Sequence, residues 1–217
     1  MRPIDCFNLT SQNRRHFFQA AAASALALSP TAQGAEPEAN VLGPMTGYSP
    51  QIGTLVSEMT WMRSAVLRSV KGMTQEQLDF LLDNKANRIG AMLLHLAATE
   101  KLYQLNTFEN VGVEDLYKSP AFKEWVTPME LGEPGRQAIK GHGLEHYLNI
   151  LREGREKTLA EFRKRDDRWL MAADKTFPWG PTNNLCKWFH VCEHESHHAG
   201  QISFLASRVP GAKPQNG

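Results

Sequence analysis

Apolar residues recur at steps of three and four over four long stretches of the chain, and between them the pattern breaks at prolines, glycines and polar runs. In the first stretch Leu55, Met59, Met62, Val66 and Val70 form one stripe. Ser49-Pro50 opens it as an N-cap followed by a first-turn proline, and it ends near Gly72. Thr74-Gln75-Glu76-Gln77 then reads as a capping box starting a short helix through Leu82. The second long helix is expected from about Asn87 to Phe108, with Ile89, Met92, Leu93, Leu96 and Tyr103 inward. The third runs from about Gly143 to Lys164, with Leu144, Leu148, Leu151, Leu159 and Phe162 inward. The fourth begins after Pro181 and stops before Pro210-Gly211. No stretch alternates with the period of two that marks a strand. The expected fold is therefore all-α, an antiparallel-type four-helix bundle over residues 49–211.

One connection is long for a bundle, Glu109 to Lys140. Ser119-Pro120 within it reads as a short helix start and Pro134-Gly135 as a turn. A connection of that size is either a lid over a site or decoration.

The first residues carry an address. Asn13-Arg14-Arg15-His16-Phe17-Phe18-Gln19 leads into the apolar run Ala20 to Leu28, and the paired arginines resemble the twin-arginine export type. Ala32 and Gly34 place small residues at −3 and −1, so cleavage is expected before Ala35, which makes 1–34 an export signal. The run is too short to span a bilayer, so no stable membrane anchor is expected and the protein is expected to be exported, periplasmic or secreted. Residues 35–48, rich in Pro, Gly and Ala, read as a flexible leader, and 212–217 as a flexible tail. The formal net charge is +1. With no basic block the chain shows no footprint for nucleic acid. Cys6 falls in the signal, and Cys186 and Cys192 face different sides of one expected helix, so no disulfide forms between them.

The chemistry concentrates in His194-Glu195-Ser196-His197-His198-Ala199-Gly200-Gln201. His194 and His198, four apart, lie one above the other on a helix face, in the stripe of Val191, Ile202 and Leu205. His95 lies in the apolar helix of the second stretch. Three inward histidines from two helices point to a divalent metal held by neutral imidazoles. His190 continues the same column, so spacing alone also admits the pair His190 and His194. His197 is rotated off the column. His142 and His146 are also four apart, but Gly141 and Gly143 place them at a frayed helix start, where capping or surface roles are the ordinary expectation. Gln201 sits one turn beyond His198, where it would orient a ligand or donate to substrate, a satisfied core amide being the more ordinary expectation. Glu100 and Arg155 fall where their helix stripes call for apolar residues; charges enter a core paired, so these two are expected to meet or to line the pocket.

Ile89 through Leu96 with Glu100 following, together with His194 through Gln201 and Ile202, resembles the DinB-like superfamily, the YfiT-like metal-dependent hydrolases. The resemblance spans roughly Pro50 to Gly211. It implies a four-helix bundle presenting three histidines to nickel or zinc, and it assigns His95, His194 and His198 as the ligands in preference to His190. It implies thiol S-transferase or related thiol-dependent chemistry on a small-molecule substrate, with a low-molecular-weight thiol as cosubstrate; the sequence itself leaves room for a homodimer.

Three neutral imidazoles leave an open coordination position, where a water becomes a hydroxide donor or a thiol becomes a thiolate. The ligands do not separate hydrolysis from S-transfer. His194-Glu195-Ser196-His197-His198 also satisfies H-E-x-x-H, which would make Glu195 the general base of a zinc peptidase. No Asp, Glu or His follows His198 to complete that site, and Gln201 stands where its extended form requires glycine. A non-enzymatic bundle whose metal only stabilises the fold is the remaining alternative.

Overall fold

The computed structural model describes residues 40–212. The export signal, the start of the leader and most of the tail read from the sequence lie outside these residues. Four long helices make the bundle: α1 (Pro50–Val70), α3 (Ile89–Phe108), α7 (Leu144–Phe162) and α9 (Asn184–Ala206). Among them, α1 packs on α9, and α3 packs on both α7 and α9. Helix α3 is buried almost all round, because a further short helix, α5 (Val126–Glu130), covers the side that α7 and α9 leave open. No helix among the described residues is long and apolar enough to cross a membrane.

Local chemistry explains most boundaries. Asn183 caps α9, its side chain accepting from the Cys186 amide at 2.8 Å. Thr74 and Gln77 form the expected capping box, but α2 (Gln75–Leu78) stops short of Leu82. Ser49 stands at the N-cap of α1 without capping it through its own side chain. It donates instead to Asp167, at the start of α8 (Asp167–Met171), whose carboxylate accepts from the Gln51 and Ile52 amides. Part of the stretch read as leader is held in place. The Gly43 amide donates to Ser57 Oγ, and the Met45 backbone lies so close over Gly53 that a Cβ there would meet its nitrogen at 2.5 Å.

The long connection is not a plain loop. It holds α4 (Val113–Leu116), a 3₁₀ turn at Lys123–Trp125, α5, and α6 (Gly132–Ala138). Pro134-Gly135, read as a turn, lies inside α6; Pro134 occupies the first helical turn, where its missing amide hydrogen breaks no bond. A two-residue hairpin, β1 (Ala173–Asp174) antiparallel to β2 (Thr182–Asn183), precedes α9. Strands that short carry no detectable alternation. The stripe of α7 also differs from expectation. Tyr147, Leu151, Arg155, Thr158 and Phe162 are its buried positions, whereas Leu144, Leu148 and Leu159 pack at the core's edge.

Candidate metal centre

His95, in the middle of α3, meets His194 and His198 on successive turns of α9. One ligand-type atom from each of the three lies within 4.8 Å of the others. His95 Nδ1 donates to the Pro128 carbonyl of α5 at 2.9 Å. A carbonyl only accepts, so the proton of His95 is on Nδ1 and its Nε2 presents a bare lone pair. That nitrogen faces His194 Nε2 at 2.8 Å. The long connection thus has a definite task, since its α5 supplies the group that orients His95.

Burial, and then the neighbouring rings, depress the pKa values: His194 falls from 6.5 to about 3 and His198 to about 4. Burial also lowers that of His95, partly offset by Pro128. All three rings are neutral at pH 7 and present lone pairs. His198 Nδ1 is buried with no hydrogen-bond partner among the described residues. Neutral imidazoles crowded nitrogen to nitrogen, with a polar atom left unsatisfied, fit a divalent cation. Nickel and zinc suit an all-imidazole donor set.

Glu195 lies between the two α9 histidines in sequence, and its carboxylate reaches toward α1 and α7. It joins a buried network of two carboxylates and two guanidinium groups, one from each long helix. Glu195 Oε1 accepts from Arg63 Nη2 at 2.6 Å and from Arg155 Nη2 at 2.8 Å. Glu100 accepts from Arg63 at 2.9 Å, from Arg155 at 2.9 Å and from Thr158 at 2.6 Å. Arg63 Nε also donates to Glu195 Oε1 at 2.9 Å, and one Nη1 donor of each guanidinium reaches a carbonyl, Leu151 for Arg63 and Met59 for Arg155; Glu195 Oε2 is buried with no hydrogen-bond partner among the described residues. Both carboxylates are 1% exposed, so this is core and not rim. Burial alone would raise the Glu100 pKa, but Arg155 and Arg63 outweigh it and hold it below 4.5. Burial would likewise lower that of Arg155, and Glu100 and Glu195 raise it instead. Glu100 and Arg155 meet as their misplaced charges implied. Arg63 was missed, although it continues the α1 stripe through Met59 and Val66 and the same argument would have found it.

The other candidates scatter. Gln201 is exposed; its Nε2 lies 3.1 Å from His197 Nε2, and its side chain also acts on His198, whose pKa it raises against the effect of burial. His142 and His146 stack on each other at 4.0 Å, exposed, at the start of α7. His190 Nδ1 pairs with the Tyr103 hydroxyl at 2.9 Å. Cys192 is buried, its thiol pushed up to about 12 by burial and then by Glu195, which makes it inert at neutral pH.

A family model described as Mycothiol-S-transferase matches residues 54–211, which contain all of these groups. No curated protein matches the chain.

Proposed function

Because the chain belongs to the mycothiol-S-transferase family, we propose that it is a metal-dependent thiol S-transferase joining a low-molecular-weight thiol to a small electrophile. The observation that carries this reading is the convergence of His95, His194 and His198, with the His95 lone pair turned inward by Pro128. A divalent cation held there by His95, His194 and His198, nickel or zinc by its donor set, would supply the positive charge that lets a thiol lose its proton near neutral pH. The thiol's sulfur forms a new bond to the electrophilic carbon, the leaving group departs with its electron pair, and the thiol proton passes to solvent. The chain's own part is positional. His95, His194 and His198 stay neutral and hold the ion. The Pro128 carbonyl fixes one ring, and the ion-pair network fixes the rotation of α9 and hence the other two.

The peptidase reading of H-E-x-x-H loses its base. Glu195 Oε1 is committed to Arg63 and Arg155, and Glu195 is not among the residues whose ligand-type atoms converge. The reading includes export, resting on Arg14-Arg15 and the run Ala20 to Leu28; mature protein from the native host is expected to begin at or near Ala35, and a retained Met1 would overturn that part.

The test measures metal content and then turnover of 1-chloro-2,4-dinitrobenzene with and without thiols, mycothiol included. We expect about one metal per chain and thiol-dependent product. His194→Ala is expected to lose most of the metal and at least a hundredfold in rate. Thiol-independent cleavage of esters or amides would replace transfer with hydrolysis. Full metal occupancy with no turnover, and only a lower melting temperature on chelation, would make the ion structural.

A further inference from the structure

His190 lies one turn before His194 on α9 and is the member of that column left out of the cluster. Tyr103, buried in α3, has its hydroxyl 2.9 Å from His190 Nδ1 and no other hydrogen-bond partner among the described residues. A buried hydroxyl needs an acceptor for its proton, so Tyr103 donates to Nδ1. The proton of the neutral His190 ring is then on Nε2. The nearest carboxylate oxygen to that nitrogen, on Glu193, is 3.9 Å away, beyond hydrogen-bonding reach, so the Nε2–H has no protein acceptor there. The His190 ring stands 5.1 Å from that of His194 and keeps 29% of its side chain exposed.

Against His190 stands Trp179, edge-on with ring centroids 5.2 Å apart and 59% exposed. An exposed indole by itself means little. This one is held by a built turn between β1 and β2. Asp174 accepts from the buried Lys187 Nζ at 3.0 Å and from Thr176 at 2.7 Å. Phe177 lies over the Lys187 ammonium at 4.6 Å and packs edge-on against Trp179 at 5.1 Å. The hairpin thus fixes a solvent-facing aromatic surface beside an unused donor, one ring away from the histidine cluster.

We propose that Trp179 and His190 form the electrophile-binding wall of the centre, taking substrates that carry a flat aromatic group with an acceptor oxygen beside it. The indole takes the ring and His190 Nε2–H takes the oxygen. Tyr103 is a positioning residue that fixes the His190 tautomer. This rests on the transferase reading for its reaction but is tested by binding alone.

The probes are S-(2,4-dinitrophenyl)-N-acetylcysteine, with a nitroaromatic ring, and N-acetyl-S-methylcysteine, without one. Binding to the metal-loaded full chain is read by calorimetry and tryptophan quenching. The ring conjugate is expected to bind at least tenfold tighter than the methyl compound. Trp179→Ala and His190→Ala should each weaken the conjugate about tenfold. Neither should alter metal content or binding of the methyl compound. Trp179→Phe should keep most of the affinity yet lose most of the quenching, and Tyr103→Phe should cost several-fold with the metal retained. Wild-type affinity in both alanine variants, no preference for the ring, or metal loss in His190→Ala would overturn the wall. The dinitrobenzene assay is scored separately. Binding as expected without turnover removes the transferase reading and keeps the wall, whereas turnover without ring preference does the reverse.

Discussion

Two polar clusters share the core of this bundle and even share consecutive residues of α9, yet they are opposites. The Arg63–Glu100–Arg155–Glu195 network is charged, and its two positive and two negative groups answer one another across all four long helices. The His95–His194–His198 cluster is uncharged, with nitrogens facing each other and His198 Nδ1 unpartnered. Charges that answer one another hold a fold together, even though Glu195 Oε2 is itself buried without a partner among the described residues; neutral lone pairs crowded together suit a cation from outside. His194 and Glu195, adjacent in sequence, belong one to each kind. The contrast separates stability from function along a single helix turn.

The sharpest way to break this contrast is to remove one charge from the network. Glu100→Gln leaves two guanidinium groups against one carboxylate in a dry site, and is expected to cost about 3–5 kcal/mol in urea unfolding of the metal-free protein. Glu195→Gln should behave alike, with weaker metal retention added, since it loosens the helix that carries His194 and His198. His194→Ala measured the same way should cost no more than about 1 kcal/mol, because the metal-free cluster satisfies little that its loss would expose. Equal costs for the two replacements would erase the distinction between a structural and a binding cluster.

How far these clusters were legible follows from what sequence periodicity can carry. A helix stripe reports which positions are inward, and that sufficed for the four long helices, for His95, His194 and His198 as inward residues, and for Glu100 and Arg155 as charges out of place. It reports nothing about which inward side chain meets which across the bundle. That is why Arg63 escaped notice and why Glu195, which two arginines engage, was weighed as a general base. Short elements are legible only through their caps. The box at Thr74 was clear, but α5, whose Pro128 carbonyl orients His95, has no side-chain cap to announce it. Pro134-Gly135 spoke for a turn because proline in a first helical turn looks the same in sequence as proline in a loop. The hairpin that places Trp179 is made of strands two residues long, below any period.

Acid separates the two clusters by where each begins to fail. The histidine pKa values are depressed in the folded chain, so the unfolded chain binds more protons between pH 6.5 and the folded values near 3 and 4. The stability this contributes is full above 6.5 and is lost as pH falls through that window. The Glu100 pKa, lowered from 4.5, contributes stability that is full above 4.5 and is lost only below it. Unfolding free energy of the metal-free protein should therefore already decline between pH 6.5 and 4.5, and steepen below 4.5. In the double variant His194→Gln, His198→Gln the upper decline should shrink to the part left by His95, His146 and His190, while the lower one persists. An unchanged upper slope would mean the cluster is not what titrates there.

The smallest effect is expected where histidines lie near one another without a core around them. His142 and His146 repeat the spacing of His194 and His198, and their rings come closer, 4.0 Å against 4.6 Å between centroids. If four-residue spacing were itself the determinant of metal binding, this pair would compete for the ion. It lacks everything else the buried cluster has. Both rings are exposed, and no third ligand-type group of the described residues joins them. Replacing both by alanine should shift stability by no more than about 0.5 kcal/mol, as for surface residues generally, and leave metal content and thiol-dependent turnover at wild-type levels. A fall in metal stoichiometry in that variant would show that spacing outweighs burial, and the contrast between the charged network and the neutral cluster would no longer predict where a metal is held.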